Sequence, residues 1–258
     1  MKVCGIDPAP KKGLTVFDGS DHAIALEDSA AFMAGLARED DLLVSWDAPL
    51  TGPPSSVVGG SAARGAAFTQ RPIESFFSRA ATGFKTPKGI SVQGYSGCPH
   101  WTITRNLLGL PRVGRFDAPD ESLPFRLLAE PSQRPAHGRR VVEVHPAVAL
   151  WLWCRERRDP KTCWRYKKDH AVLRELWQRL LKVPGVAGVL SKVQAATPTS
   201  DDQLDARVAY ALGRLWLDDP ASVVLLGDAD TGAFLIPVVP GIERAFQSFV
   251  EELPNADP

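Results

Sequence analysis

The sequence predicts an α/β protein whose sheet begins with three hairpin-connected strands. Short apolar runs alternate with turns rich in Gly, Asp and Pro at the N-terminus, and an amphipathic helix separates them from a fourth apolar run. A chain of 258 residues, 44% of them hydrophobic, is long enough to bury one large core. We expect a single domain over residues 1–258, with an irregular insertion at residues 51–140.

The N-terminal elements follow from this pattern in order. Strands are predicted over about 2–7, 13–18 and 22–27, because each is apolar or alternating and ends at turn residues. Ser29 is a suitable N-cap for the next helix, whose apolar residues share one face. A further buried strand is predicted over 42–46.

The insertion differs in character, since its first part is rich in Gly, Pro and Ser and proline recurs through it. We expect short helices over about 73–81 and 101–108, and loops that cap one end of the sheet and hold residues facing a substrate. Beyond it we predict a strand that starts near Arg140, then helices. Those elements are a helical stretch containing Trp151 and Trp153, helices over about 169–182 and 201–217, and a closing strand pair formed by 223–226 and 234–239.

Acidic residues recur where the predicted strands end. Asp7, Asp47 and Glu143 each follow an apolar run and precede a proline by one, two and three residues, respectively. Asp205 lies one turn into the helix at 201–217. The helix dipole favours acids in the first turn of a helix, and Asp205 lies beyond that turn. Turn capping is the alternative for Asp7, since Asp is common before Pro.

Together, however, these four carboxylates predict a metal site. Carboxylates gathered at adjacent strand ends repel one another unless a cation neutralises them. Two Mg²⁺ or Mn²⁺ ions about 3.5–4 Å apart, bridged by acids, are the arrangement used for phosphodiester cleavage. Both ions prefer oxygen ligands.

The start of the last predicted helix offers a further ligand. Ser200 and Gln203 form a capping box, which fixes the register of Asp201, Asp202 and Asp205. Helical geometry places Asp201 on the same side as Asp205.

Several motifs resemble a known family. The segment Gly5-Ile6-Asp7-Pro8 resembles the first-strand motif of RuvC-type resolvases, and Asp202-Gln203-Leu204-Asp205-Ala206 resembles their paired-aspartate helix. With Asp47-Ala48-Pro49-Leu50 and Glu143-Val144-His145-Pro146, the set is similar to a family of predicted ribonuclease H-like nucleases, domain of unknown function 429.

This resemblance implies a ribonuclease H-like fold: a mixed five-stranded sheet, three antiparallel strands followed by parallel ones, flanked by helices and carrying a helical and loop insertion. It implies a nuclease dependent on Mg²⁺ or Mn²⁺ that cleaves DNA or RNA. Asp7, Asp47 and Asp205 would be metal ligands, with Asp202 or Glu143 as a fourth. The family motif favours Asp202 over Asp201.

Other residues are candidates for contact with substrate. His145 lies on the same side of its strand as Glu143, where it would orient a water or protonate a leaving group; a structural hydrogen bond is the alternative. A run over 155–168 mixes cations with aromatic rings, which suits phosphate contact and base stacking, although a solvated basic loop would look the same. The candidates there are Arg155, Arg158, Trp164 and Lys167, and Arg71 in the insertion is a further one.

Composition excludes some classes of protein. The 30 Lys and Arg balance 30 Asp and Glu, so the whole chain has no strong bias toward nucleic acid or membrane. Residues 1–50 are acidic, with four basic against nine acidic residues, and residues 101–170 are basic, with fourteen against eight. No secretory signal or membrane helix is predicted, and four irregularly spaced cysteines indicate free thiols in a reducing cytoplasm.

Two other functions stay open at this stage. An actin-like ATP-dependent phosphotransferase would share the core topology, but the first turn, Pro8-Ala9-Pro10-Lys11-Lys12-Gly13, lacks a glycine-rich phosphate loop. A non-catalytic scaffold that binds nucleic acid or protein is the other alternative. It gives no physical reason to retain charges at strand ends.

Overall fold

The computed structural model describes residues 1–51, 71–92, 104, 107–109, 123–155 and 164–253. Their main element is a six-stranded mixed sheet. Its strands span Lys2–Ala9 (β1), Gly13–Phe17 (β2), Asp21–Ile24 (β3), Leu42–Trp46 (β4), Arg126–Leu128 (β5) and Arg139–Glu143 (β6). Their order is β3-β2-β1-β4-β6-β5. The strands β1, β2 and β3 pair antiparallel, while β1, β4, β6 and β5 run parallel to one another.

Helices and a second sheet of two strands pack on the main sheet. These elements are α1 (Ser29–Leu36), α2 (Pro72–Ser78), α3 (Pro146–Cys154), α4 (His170–Leu180), α5 (Pro184–Lys192), α6 (Asp201–Asp218), β7 (Val223–Asp228), β8 (Gly232–Pro237) and α7 (Ile242–Glu251). The strands β7 and β8 pair antiparallel. Val144, just after β6, forms a β-bridge with Leu235 of β8 that joins the two sheets.

Both faces of the main sheet are buried, as strand alternation requires. In β4, Leu43 packs into the core on one face, while Leu42 and Val44 pack on the other with Met33 of α1. Parallel strands that are covered on both faces have continuous apolar sequences, which is why residues 42–46 are almost entirely hydrophobic.

Helix α6 lies unusually close to β1 because of one glycine. A Cβ atom at Gly5 would stand 2.1 Å from the carbonyl oxygen of Ala206 and 2.3 Å from the amide nitrogen of Tyr210. No other residue permits this approach without moving the backbone. The helix therefore crosses directly over the middle of β1, and its first turns reach the end of that strand.

The mixed α/β sheet, with antiparallel strands followed by parallel strands, agrees with the sequence prediction. The predicted number of five strands was wrong, since the short edge strand β5 adds a sixth. With only three residues flanked by loops, β5 carries too little periodicity to be recognised. It lies inside the predicted insertion yet pairs with β6.

Other differences concern the helices. The predicted helix over about 73–81 forms as α2, and α5 and α7 were not predicted. Of the predicted helix over about 101–108, Thr104 and residues 107–108 are helical, and the rest lies outside the described residues. The bounds of the insertion and the single-domain organisation stay predictions.

In the part of the chain that the structure describes, no helix is both long enough and apolar enough to cross a bilayer. Two cysteines of that part, Cys4 and Cys154, are buried. Burial raises the pKa of the Cys4 thiol to about 12, so it stays protonated and unreactive.

Candidate metal centre

The parallel pairing of β1 and β4 brings Asp7 beside Asp47. In the register of the two strands Ile6 is opposite Trp46, and the amide of Asp47 donates a 2.9 Å hydrogen bond to the carbonyl oxygen of Ile6. Both acids therefore lie at the carboxyl end of the sheet. Asp205 reaches them from α6, which crosses β1 at Gly5.

These three residues form the acid cluster: Asp7, Asp47 and Asp205 each offer one carboxylate oxygen, and the three oxygens lie within 4.8 Å of one another. Asp7 is 8% exposed and Asp205 1%. Desolvation, reinforced by mutual repulsion, raises the pKa of Asp7 and of Asp47 well above the ordinary range. Burial and mutual repulsion therefore disfavour the simultaneous ionisation of the three carboxyl groups.

Asp205 has two partners from the segment before α4. The hydroxyl of Tyr166 donates to Oδ1 at 2.6 Å, and the Lys167 ammonium lies 2.9 Å from Oδ2. The ammonium makes an ion pair there without the alignment of a hydrogen bond, and Oδ2 has no aligned donor among the described residues. Burial raises the pKa of Asp205, although Lys167 and Tyr166 each act to lower it.

The donor set of the acid cluster fits a hard divalent cation. It consists of carboxylate oxygens, which Mg²⁺ and Mn²⁺ prefer, and one of those oxygens is buried and lacks an aligned donor. Asp7, Asp47 and Asp205 are the residues that would hold such an ion.

A cleft of about 680 Å³ opens next to the acid cluster. Asp7, Asp47, Tyr166, Lys167 and Lys168 are among the residues that line it. The cleft therefore has carboxylates and ammonium groups in its lining and is large enough for a small ligand or a segment of a polymer.

Glu143 lines the same cleft but belongs to a separate group, which we call the Arg71 network: Arg71, Glu74 and Glu143. Arg71 Nη2 lies 2.5 Å from Glu143 Oε1 and 2.5 Å from Glu74 Oε1. Its Nη1 donates to Glu143 Oε2 and to Thr51 Oγ1, both at 2.8 Å.

Glu143 also holds the loop that follows Asp47. Its Oε2 accepts a 2.8 Å hydrogen bond from the backbone amide of Leu50. Burial raises the pKa of Glu143, while Arg71 acts to lower it. Glu143 thus has a full set of partners and does not reach into the acid cluster.

His145 is a neutral imidazole on the wall of the cleft. Burial lowers its pKa to about 3, and the nearby charge of Lys167 contributes to the shift. Its Nδ1 has no hydrogen-bond partner among the described residues, and its ring lies 5.4 Å from that of Phe234.

The remaining predicted residues lie elsewhere. Asp202 is outside the acid cluster and pairs with Lys12 at 3.0 Å. Arg71 is buried between two glutamates and Trp164 is 3% exposed, so neither is open to a phosphate or a base. Arg155 stacks over the rings of Phe84 and Trp151, at 5.2 and 5.4 Å from their centroids. Arg158 lies outside the described residues.

Sequence reasoning missed two contributors to the site. Tyr166 orients Asp205, and Glu74 shares Arg71 with Glu143. The signal for Glu74 was present, since Arg71, Pro72 and Glu74 form the first turn of α2 and the Glu74 carboxylate accepts from the Arg71 amide at 2.5 Å. No feature of the neighbouring sequence distinguishes Tyr166 from an aromatic residue of the hydrophobic core.

Comparison with known proteins gives one match. Residues 126–230 match the model of a family described as "Protein of unknown function (DUF429)". This segment contains Glu143, Lys167 and Asp205, whereas Asp7 and Asp47 precede it. No curated protein and no solved structure gives a match. Over residues 126–230 the chain is therefore similar to a family whose description states no activity.

Proposed function

We propose that the protein is a nuclease dependent on Mg²⁺ or Mn²⁺ that hydrolyses phosphodiester bonds in DNA or RNA. The observation that carries this proposal is the acid cluster, where three largely buried aspartates from β1, the end of β4 and α6 converge on one point beside a cleft. A ribonuclease H-like arrangement of the sheet is part of the same proposal, and it rests on the resemblance of the strand-end motifs.

A bound divalent ion would supply an activated water and would stabilise negative charge on the leaving oxygen. The chain itself supplies the remaining functions. Asp7, Asp47 and Asp205 hold the ion, and Tyr166 keeps the Asp205 carboxylate in one orientation through its 2.6 Å hydrogen bond. Their raised pKa values reflect a charge that a cation would offset.

Two lysines in the lining of the cleft suit an anionic substrate. The Lys167 and Lys168 side chains are exposed there, so they are placed to contact phosphate oxygens. His145 is neutral at physiological pH, and its pKa of about 3 suits its imidazole to neutral hydrogen bonding rather than to accepting a proton. The Arg71 network fixes the loop after Asp47 through Leu50.

A cleavage assay tests the proposal. Labelled single-stranded DNA, single-stranded RNA, an RNA–DNA hybrid and a branched duplex are incubated with the protein and Mg²⁺ or Mn²⁺. We expect metal-dependent cleavage of at least one substrate, reduced by about 100-fold or more in Asp7→Asn. Asp218→Asn, at the far end of α6, is the matched control and should cleave like the wild type. Cleavage that is unchanged in Asp7→Asn, or absent from every substrate, would contradict the proposal.

A non-catalytic scaffold that binds nucleic acid is the second candidate, and the Lys167–Asp205 ion pair favours it. In that case the ammonium compensates the acid cluster permanently and no metal is needed. Binding of the same substrates without cleavage, unaffected by a chelator, would support the scaffold.

A further inference from the structure

We propose that Lys167 is the resident counter-cation of the acid cluster and that its ammonium must be displaced before a divalent metal binds there. This inference rests on the proposed metal site and deepens it, because it names the residue that sets the metal affinity. Lys167 would then act as a built-in competitor of the metal.

The first step of the argument is the occupancy of Asp205. Its Oδ1 accepts the Tyr166 hydroxyl at 2.6 Å, which leaves Oδ2 as the oxygen available to a cation. The Lys167 ammonium lies 2.9 Å from that same oxygen. An ammonium at 2.9 Å and a metal ion at about 2.0–2.2 Å from one oxygen would lie against each other as like charges.

The second step is the difference in exposure between the two partners. The Lys167 side chain is 51% exposed, whereas that of Asp205 is 1% exposed. The ammonium is therefore able to leave by rotation of a flexible side chain into the cleft, while the carboxylate stays in place. Displacement gives up the Coulomb attraction between the ammonium and the buried carboxylate, so a metal ion has to outcompete that attraction before it binds.

The third step is the charge of the group. Three carboxylates with one ammonium carry less negative charge than the three carboxylates alone. The ammonium also acts on the other acids, since its charge offsets part of the rise in the pKa of Asp7 and of Asp47. Removing this positive charge strengthens the attraction of the acid cluster for a divalent cation.

The experiment is a Mn²⁺ titration of the full-length protein, followed by the electron paramagnetic resonance signal of free Mn²⁺. The variant Lys167→Gln removes the competing charge, and Lys167→Arg keeps it. Lys168→Gln is the matched control, because Lys168 is exposed on the same cleft and forms no ion pair with the acid cluster in the described residues. We expect Lys167→Gln to lower the apparent Kd for Mn²⁺ by about tenfold or more, and the two other variants to stay within about threefold of wild type.

The outcomes separate this inference from the proposed function. Tighter binding confined to Lys167→Gln supports the inference, and so does binding by Lys167→Gln when the wild type binds too weakly to measure. Equal affinity in Lys167→Gln and wild type overturns the inference but leaves the metal site intact. Equal tightening in Lys167→Gln and Lys168→Gln also overturns it, because general cleft charge would explain the effect. If neither wild type nor Lys167→Gln binds Mn²⁺, both the inference and the proposed metal site fail.

Discussion

Two groups of buried carboxylates lie against the same cleft, and they differ in how their charge is compensated. In the Arg71 network, two glutamates share one buried guanidinium through short hydrogen bonds. In the acid cluster, the cation next to the three aspartates among the described residues is the half-exposed ammonium of Lys167. The counter-cation of the first group is a buried guanidinium, whereas that of the second is a side chain open to the cleft.

This difference shows that the position of an acid at a strand end does not by itself define its role. Asp47 is the residue after β4, whereas Glu143 is the last residue of the neighbouring parallel strand β6 and stands opposite Trp46. Asp47 enters the acid cluster, while Glu143 binds Arg71 and the amide of Leu50. Two acids at adjacent strand ends, offset by one residue, therefore meet different partners.

The largest expected effect follows from breaking the Arg71 network. Arg71→Met leaves Glu74 and Glu143 buried without their shared cation, and we expect a loss of about 3–5 kcal/mol in the free energy of unfolding. Urea denaturation measures this loss. Glu143→Gln in the Arg71→Met background should recover part of it, because one buried charge is removed. A loss below about 1 kcal/mol would show that the guanidinium is not required for stability.

In the acid cluster we expect a substitution to raise the free energy of unfolding rather than to lower it. Without metal, Asp7→Asn removes one of three repelling carboxylates, and we expect the free energy of unfolding to rise by about 1–3 kcal/mol at neutral pH. Asp218→Asn is the control, because its carboxylate is partly exposed and pairs with Arg214 at 2.6 Å. A destabilised Asp7→Asn protein would contradict the view that this charge is uncompensated.

The stability gained by Asp7→Asn depends on pH in a characteristic way. The pKa of Asp7 is raised in the folded state above its ordinary value of 3.8, so the folded protein binds this proton more tightly than the unfolded chain. Its ionisation therefore destabilises the wild type as pH rises through the folded-state pKa. The advantage of Asp7→Asn over wild type should shrink as pH falls and disappear below about pH 4. Because His145 is present in both proteins, its contribution cancels in this difference.

The smallest effect is expected at Asp202, which the family motif favours as a metal ligand. Its carboxylate pairs with Lys12, whose side chain is 73% exposed, and it lies in the first turn of α6. Asp202→Asn should cost about 0.3–1 kcal/mol and change the affinity for Mn²⁺ by less than about threefold. Calorimetric titration with Mn²⁺ measures the change in affinity. A loss of affinity similar to that in Asp7→Asn would place Asp202 among the ligands.

Local sequence patterns were sufficient for most of the fold and for the acids at strand ends. Apolar runs ended by turn residues located β1 to β4, and the Ser200 cap located the start of α6, where its hydroxyl accepts from the Gln203 amide at 3.2 Å. The sequence pattern identifies Gly5 only as part of the motif Gly5-Ile6-Asp7-Pro8. Its role in the approach of α6 to β1 depends on packing, which local sequence patterns do not describe.

The sequence could not predict which cation pairs with which buried carboxylate. Arg71 meets Glu143 across 72 positions of the chain, and Lys167 meets Asp205 across a loop and two helices. Such contacts depend on how helices dock on the sheet. For this reason Arg71 and Trp164 looked like surface residues suited to substrate, whereas both are buried.

The measurement that tests the central claim most directly is the melting temperature of wild type and Asp7→Asn with and without about 10 mM Mg²⁺ or Mn²⁺. Because a ligand that binds only the folded state adds stability, we predict a rise of several degrees in the wild type. Asp7→Asn should show little or no rise. No rise in either protein, or an equal rise in both, would contradict the claim that the acid cluster is a divalent metal site.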